Sequence, residues 1–208
     1  MNKLVIALSI CTFGVTAYAQ SGKSAKPATA TPPSGATAAA GAAPEKMEMP
    51  KPGPEQDALK PFVHNMTSTG TTVAGAMGPN SPEMKTKGKA MCKWIDGNLW
   101  AACDIEESAG TGKTAMKWMG HWVFGYDALA KGYRGVMVDN MGMMMPMKGT
   151  LDGAKMTWES ATEMKVPNMP SKMRFTEDAT DPKNIKFTEE GEMNGKWMER
   201  STAVHKVR

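Results

Sequence analysis

The stretch KGKAMCKWIDGNLWAACDIEE, residues 87–107, limits the architecture more than any other part of the chain. Two strand-like runs flank Asp96-Gly97-Asn98, a strong turn signal, so the segment reads as a β-hairpin. A four-residue loop, Asp96 to Leu99, sets Ile95 opposite Trp100 and, in the same register, Cys92 opposite Cys103. Directly opposed residues bring their β-carbons within bridging distance, so this register predicts a disulfide between Cys92 and Cys103. A two- or three-residue loop would move the cysteines out of register, leaving two buried thiols or half of a metal site. Two cysteines without nearby histidines are a weak zinc signal.

Short runs of the same kind continue along the chain: KWMGHWVFGYD, GYRGVMVDNM, KMTWESATEM, SKMRFTED, NIKFTEEGEM and KWMERSTAVHKV. Clusters of Gly, Pro, Asp and Asn separate them at intervals that suit a meander. After PEQDALKPFVHNM, which starts as a helical turn behind Pro54 and Glu55, no segment sustains a helical period. The expected fold class is all-β: an antiparallel barrel or strongly curved sheet. Closure removes exposed edges and creates an interior that is either packed or able to hold a small ligand.

The domain is expected to span residues 52–208, a length suited to one core. Residues 1–19 read as a signal peptide, with Lys3 ahead of an apolar run from Leu4 to Val15 and Ala17-Tyr18-Ala19 as the cleavage site. Ile10 is too bulky for Cys11 to sit in a lipobox, so export to the periplasm or outside the cell without a lipid anchor is expected. Residues 20–51 are mostly Ala, Pro, Thr, Gly and Ser, with no aromatic, and read as a disordered linker. No apolar run after the signal is long enough to span a bilayer. The formal charge is +4, of which Lys3 supplies one. The remainder is spread among 21 acidic residues, which leaves no footprint for nucleic acid.

PGPEQDALKPFV at 52–63, the cysteine hairpin, GYDALAKGY at 125–133 and DNM at 139–141 together resemble a bacterial family known only as domain of unknown function 1579. The matching positions are Pro52, Gly53, Pro54, Glu55, Gly125, Tyr126, Asp127, Lys131, Tyr133 and Asp139. The resemblance covers nearly the whole domain and implies a lipocalin-like β-barrel with no established activity. Read as residues, the positions suggest structure: Asp127 suits an Asx-type turn, and Gly125 a bulge or a close approach of another segment. Two departures from the family pattern put methionine where bulky aromatics are usual, at Met66 after His64-Asn65 and at Met137. Methionine is unbranched and fills irregular space.

DNMGMMMPMKGT, residues 139–150, raises the question of metal chemistry. An extended backbone would place Met141, Met143, Met145 and Met147 on one side and Gly142, Met144 and Pro146 on the other. Thioethers are soft donors for copper(I), and His121, in KWMGHWVF, is the nearest imidazole to complete a set with Met141, Met143, Met144, Met145 and Met147. Against this, sulfurs on one strand are rooted about 6–7 Å apart, Pro146 suggests a turn or edge, and 20 of the 21 methionines are spread beyond Met1. His205, in the last strand, admits haem by analogy of shape with haem-binding barrels. No cofactor is otherwise expected.

No catalytic motif is present: no G-x-S-x-G, no HExxH, and SAGTGKT at 108–114 is too short between its glycines for a phosphate loop. Glu106, Glu107, Glu189, Glu190 and Glu192 read as solvated face residues. Catalysis is left without a candidate residue, and three non-catalytic functions are the expectations. They are a barrel binding a small apolar ligand in a Met-lined interior, a copper(I)-handling protein, and a structural envelope domain whose methionines absorb oxidant. Protein partners are not specified by the sequence.

Overall fold

The computed structural model describes residues 50–78, 80–112, 115–167 and 169–208. The expected signal peptide and residues 20–49 of the expected linker lie outside the described residues. Ten strands follow a short helix α1 (Pro54–Asp57) and a single 3-10 turn (Lys60–Phe62). They are β1 (Met66–Thr72), β2 (Met84–Ile95), β3 (Trp100–Ala109), β4 (Met116–Asp127), β5 (Gly132–Asp139), β6 (Met144–Asp152), β7 (Lys155–Ser160), β8 (Lys172–Asp178), β9 (Asn184–Met193) and β10 (Lys196–Val207). Each is antiparallel to its sequence neighbours, and β1 pairs with β10 from Met66 opposite Val207 to Thr72 opposite Ser201, closing the barrel. The chain is therefore the all-β barrel expected from its strand and turn pattern. Among the described residues, no helix is long and apolar enough to cross a membrane.

The cysteine hairpin has the expected register. Ile95 faces Trp100, Cys92 faces Cys103, and the two cysteines form a disulfide. Asp96, Gly97 and Asn98 all take positive φ, 49°, 67° and 68°, a conformation that glycine and short polar side chains tolerate best.

The interior is filled by large rings laid over glycines of neighbouring strands. Trp122 covers Gly135, where an added β-carbon would meet the ring at 2.7 Å, and Trp158 covers its direct partner Gly149, at 2.6 Å. Trp122, Phe124 and Trp158 then contact one another, with centroids 5.1–5.7 Å apart. Met145, Met147, Met156 and Met173 pack around them, all at most 7 % exposed. Helix α1 leads Leu59, Phe62 and Val63 into this same core.

Pro146 is neither in a turn nor at an edge, as the sequence had suggested. It sits inside β6, opposite Val136. Its carbonyl accepts from Ala161 N–H at 2.8 Å, so its nitrogen faces the same way. The β6–β7 ladder begins only at Met147–Ser160. The absent N–H therefore falls at the very end of that ladder, opposite Ala161, which is exposed, so the one reciprocal bond it forgoes is at a solvent-accessible position.

Two substitutions probe this packing. Gly135→Ala is expected to lower stability by about 1–3 kcal/mol, because Trp122 has no free volume into which to retreat. Replacing both Cys92 and Cys103 with Ser removes a short-loop cross-link and is expected to cost about 2–3 kcal/mol. Denaturant unfolding of oxidised protein measures both; unchanged midpoints would refute the packing and cross-link arguments.

Candidate functional site

The residues that resemble the family pattern hold the helix and the hairpin turns in place. Pro54 opens α1, where its missing N–H costs nothing, and Gly53 N–H donates to Gln56 Oε1 at 2.9 Å. Tyr133 Oη donates to the Glu55 carbonyl at 3.3 Å, and its ring meets Tyr126 edge-on at 5.5 Å. Asp127 Oδ1 accepts from the N–H groups of Leu129 and Ala130, while Lys131 takes φ 49°. Gly125 lies beneath Trp100, whose ring an added β-carbon would meet at 2.7 Å. Pro52 precedes the helix and is exposed.

The Met141–Met147 segment is not extended throughout. Asp139 Oδ1 accepts from both Met141 N–H and Met143 N–H at 2.9 Å, and Gly142 takes φ 80°, so residues 140–143 form a tight connection between β5 and β6. The alternation expected to run from Met141 begins only at Met144. Met145 and Met147 point into the core, Met143 is half-buried, and Met141 and Met144 are exposed at 62 % and 69 %. His121 is on the outer wall, its Nδ1 2.7 Å from Asp104 Oδ1. The barrel wall thus divides the proposed ligand set, with Met145 and Met147 on one side and His121, Met141 and Met144 on the other.

The same wall separates the glutamates that the sequence reading had grouped as solvated. Because strand neighbours point to opposite faces, Glu106 and Glu190 are outside, whereas Glu107 follows Cys103 and Ile105 inward and Glu189 faces Ser201. Counting by twos from the bridged cysteine would have found Glu107. Glu177, Arg200 and His205 join them, so one wall of the lumen, built from β3, β8, β9 and β10, is polar. The opposite wall, β4 to β7, carries the aromatic and methionine core.

This polar wall is only half-buried, with side-chain exposures of 17 % for Glu177, 26 % for Glu189, 13 % for Arg200 and 16 % for His205. Arg200 Nε donates to Glu189 Oε1 at 3.3 Å. Glu107 and Glu177 have no hydrogen-bond partner among the described residues. Burial pushes the Glu177 carboxyl up to about 7. Burial, reinforced by the charge of Glu189, does the same for Glu107, also to about 7. Burial likewise raises Glu189, against the opposing pull of Arg200. His205 moves the other way, to about 4, because burial disfavours its cation. Its Nδ1 is buried without a hydrogen-bond partner, 3.9 Å from Glu177 Oε1. The His205 ring stacks on Phe187 at 5.1 Å, and Phe187 stacks in turn on Phe175 at 6.1 Å.

These surroundings do not suit haem. A macrocycle on His205 would have to displace Phe187 and set its carboxylates among Glu107, Glu177 and Glu189. Among the described residues, no three His, Cys, Asp or Glu side chains gather so as to hold a metal ion. His64, half-buried before β1, joins none of these groups. Two shallow hollows, each about 340 Å³, are outside the core: one includes Lys148, Thr157, Glu159 and Lys172, the other Thr69, Thr71, Lys186 and Thr202. The Met-rich part of the interior is occupied by its own side chains.

The family described as "Protein of unknown function (DUF1579)" matches residues 51–206, and the chain belongs to it. No curated protein matches the chain. Solved structures similar to it include an S-type phycobiliprotein lyase, CPES, from Guillardia theta. That likeness has 9 % identity and a TM-score of 0.45, and covers 76 % of this chain and 98 % of that one.

The carboxyl shifts give a signed pH dependence. Glu177 ionises near 4.5 in the unfolded chain and near about 7 in the barrel. Between those values the folded state holds the extra proton, so the contribution of Glu177 to stability is full at low pH and is lost as pH rises through 7. The stability of Glu177→Gln relative to the parent is therefore expected to increase between about pH 5 and pH 8. Chemical denaturation across that range tests it; a pH-independent difference would show that Glu177 is not held neutral.

Proposed function

We propose that this member of the DUF1579 family is an exported, non-catalytic barrel that binds a small molecule against the polar wall of its lumen. The observation that carries the reading is His205 Nδ1, buried without a hydrogen-bond partner 3.9 Å from Glu177 Oε1, on a wall it shares with the inward carboxyls of Glu107 and Glu189. Leaving such groups unpaired costs stability unless something else completes them. The Phe175–Phe187–His205 stack offers a flat apolar surface beside them. Three carboxyls against one guanidinium favour a ligand with a cationic or hydrogen-donating head and a planar body. A wholly apolar ligand finds less support, because the methionines that would line its site are packed against Trp122 and Trp158. Export rests on the signal-like residues 1–19 and agrees with the Cys92–Cys103 disulfide, since such bonds persist in oxidising compartments.

Intact-mass analysis under native and denaturing conditions, on protein from its own host's envelope, tests both halves. The expected result is a chain beginning near Gln20 and a small bound species released on unfolding. A chain retaining residues 1–19 would refute export. Tryptamine serves as a defined probe of the site: its binding should strengthen as pH rises through about 7, as the carboxyls ionise, and weaken in Glu177→Gln. No bound species and no tryptamine binding at pH 8 would together overturn the reading.

A further inference from the structure

The outer wall carries a second grouping, independent of the lumen. One row of residues crosses five strands: Met91 on β2 faces Asp104 on β3, Asp104 faces His121 on β4, His121 faces Val138 on β5, and Val138 faces Met144 on β6. All five point outward, because their strand neighbours Cys103, Trp122 and Met145 are in the core. Met119 is two residues before His121 on the same face. Asn140 ties the β5–β6 connection to it, donating its N–H to the Met119 carbonyl and accepting from Met119 N–H. That connection also presents Met141. The side chains are open to solvent: Met119 at 50 %, Met141 at 62 % and Met144 at 69 %.

Exposed apolar side chains on a barrel are expected singly, whereas here three thioethers share one outer face with an imidazole. The imidazole is already oriented. His121 Nδ1 is 2.7 Å from Asp104 Oδ1, and a hydrogen bond to a carboxylate selects the tautomer with its proton on Nδ1. That leaves the Nε2 lone pair facing outward, the arrangement by which a carboxylate prepares a metal-binding histidine. Adjacent strands are about 4.8 Å apart and same-face residues about 7 Å apart. Val138 therefore lies between His121 and Met144, whose roots are about 10 Å apart, and Met119 roots about 7 Å along β4 from His121, so the unbranched thioether side chains have to lean over Val138 to meet the imidazole.

We propose that this face binds a soft monovalent cation, copper(I), through His121 Nε2 and the thioethers of Met119 and Met144, with Met141 available from the turn. Neutral sulfur donors with one imidazole match copper(I) rather than zinc or a hard divalent ion. The methionine run marked the right region of the chain, but Met143, Met145 and Met147 are not part of the site. Met119, outside that run, supplies a ligand instead.

The test uses the mature protein kept anaerobic. Copper(I) is titrated against bicinchoninate, and silver(I), which is redox-inert, is followed by NMR of methyl-labelled methionine. One equivalent of copper(I) should be withdrawn from the chelator. Silver(I) should shift the Met119 and Met144 methyl signals and leave those of Met145, Met147 and Met156 unchanged. His121→Ala, and Met119→Leu combined with Met144→Leu, should each weaken binding at least tenfold. All three positions are half-exposed or more, so the variants retain the core. Failure to compete, shifts confined to the buried methionines, or full affinity in either variant would overturn the site. None of these outcomes bears on ligand binding in the lumen.

Discussion

Closing a ten-stranded sheet forces every inward side chain to share one enclosed volume, and this protein meets that constraint by setting tryptophan over glycine. Trp122 and Trp158 each occupy the space that a side chain at Gly135 or Gly149 would need. The two indoles meet edge to face, with Phe124 against both. Methionines fill what rigid rings leave, because an unbranched thioether conforms to irregular gaps. Met137 faces Trp122 on one side and Met145 on the other.

That arrangement leaves the lumen unequally divided. The β4–β7 wall is dry and dense, while β3 and β8–β10 contribute acids, an arginine and a histidine where small residues, Gly70, Gly88, Ser68 and Ala203, reduce the bulk around them. Burial pushes the Glu107 and Glu177 carboxyls up to about 7, so near neutrality each spends part of its time protonated, which lessens the cost of isolated buried charge. A polar lining of this kind is costly to a barrel whose only task is to be solid. It therefore marks the region where function is to be sought.

Local interactions were legible and distant ones were not. The cysteine hairpin could be read because its register follows from a four-residue turn and needs no other part of the chain. Pro146 misled because its cost depends on where the neighbouring strand ends, at Ser160, which no pattern around residue 146 reveals. The methionine run misled for a related reason. Asp139 folds its side chain back onto the N–H groups of Met141 and Met143, breaking the period that spacing alone would continue. Glu107 and Glu189 read as surface residues because charge is usually solvated, although alternation from Cys103 already places Glu107 inside.

By itself the sequence determined the strand and turn succession, the Cys92–Cys103 bridge and the antiparallel all-β class, since each depends on residues close together in the chain. Only the tertiary structure decided which glutamates face the lumen. It also brought His205 beside Glu177 and Phe187, and assembled Met119, His121 and Met144 on one outer face. The meeting of Glu107 on β3 with Glu189 on β9 joins strands far apart in sequence and exists only once β1 has paired with β10, whereas the other two groupings need the register of three successive strands, β8–β10 and β4–β6.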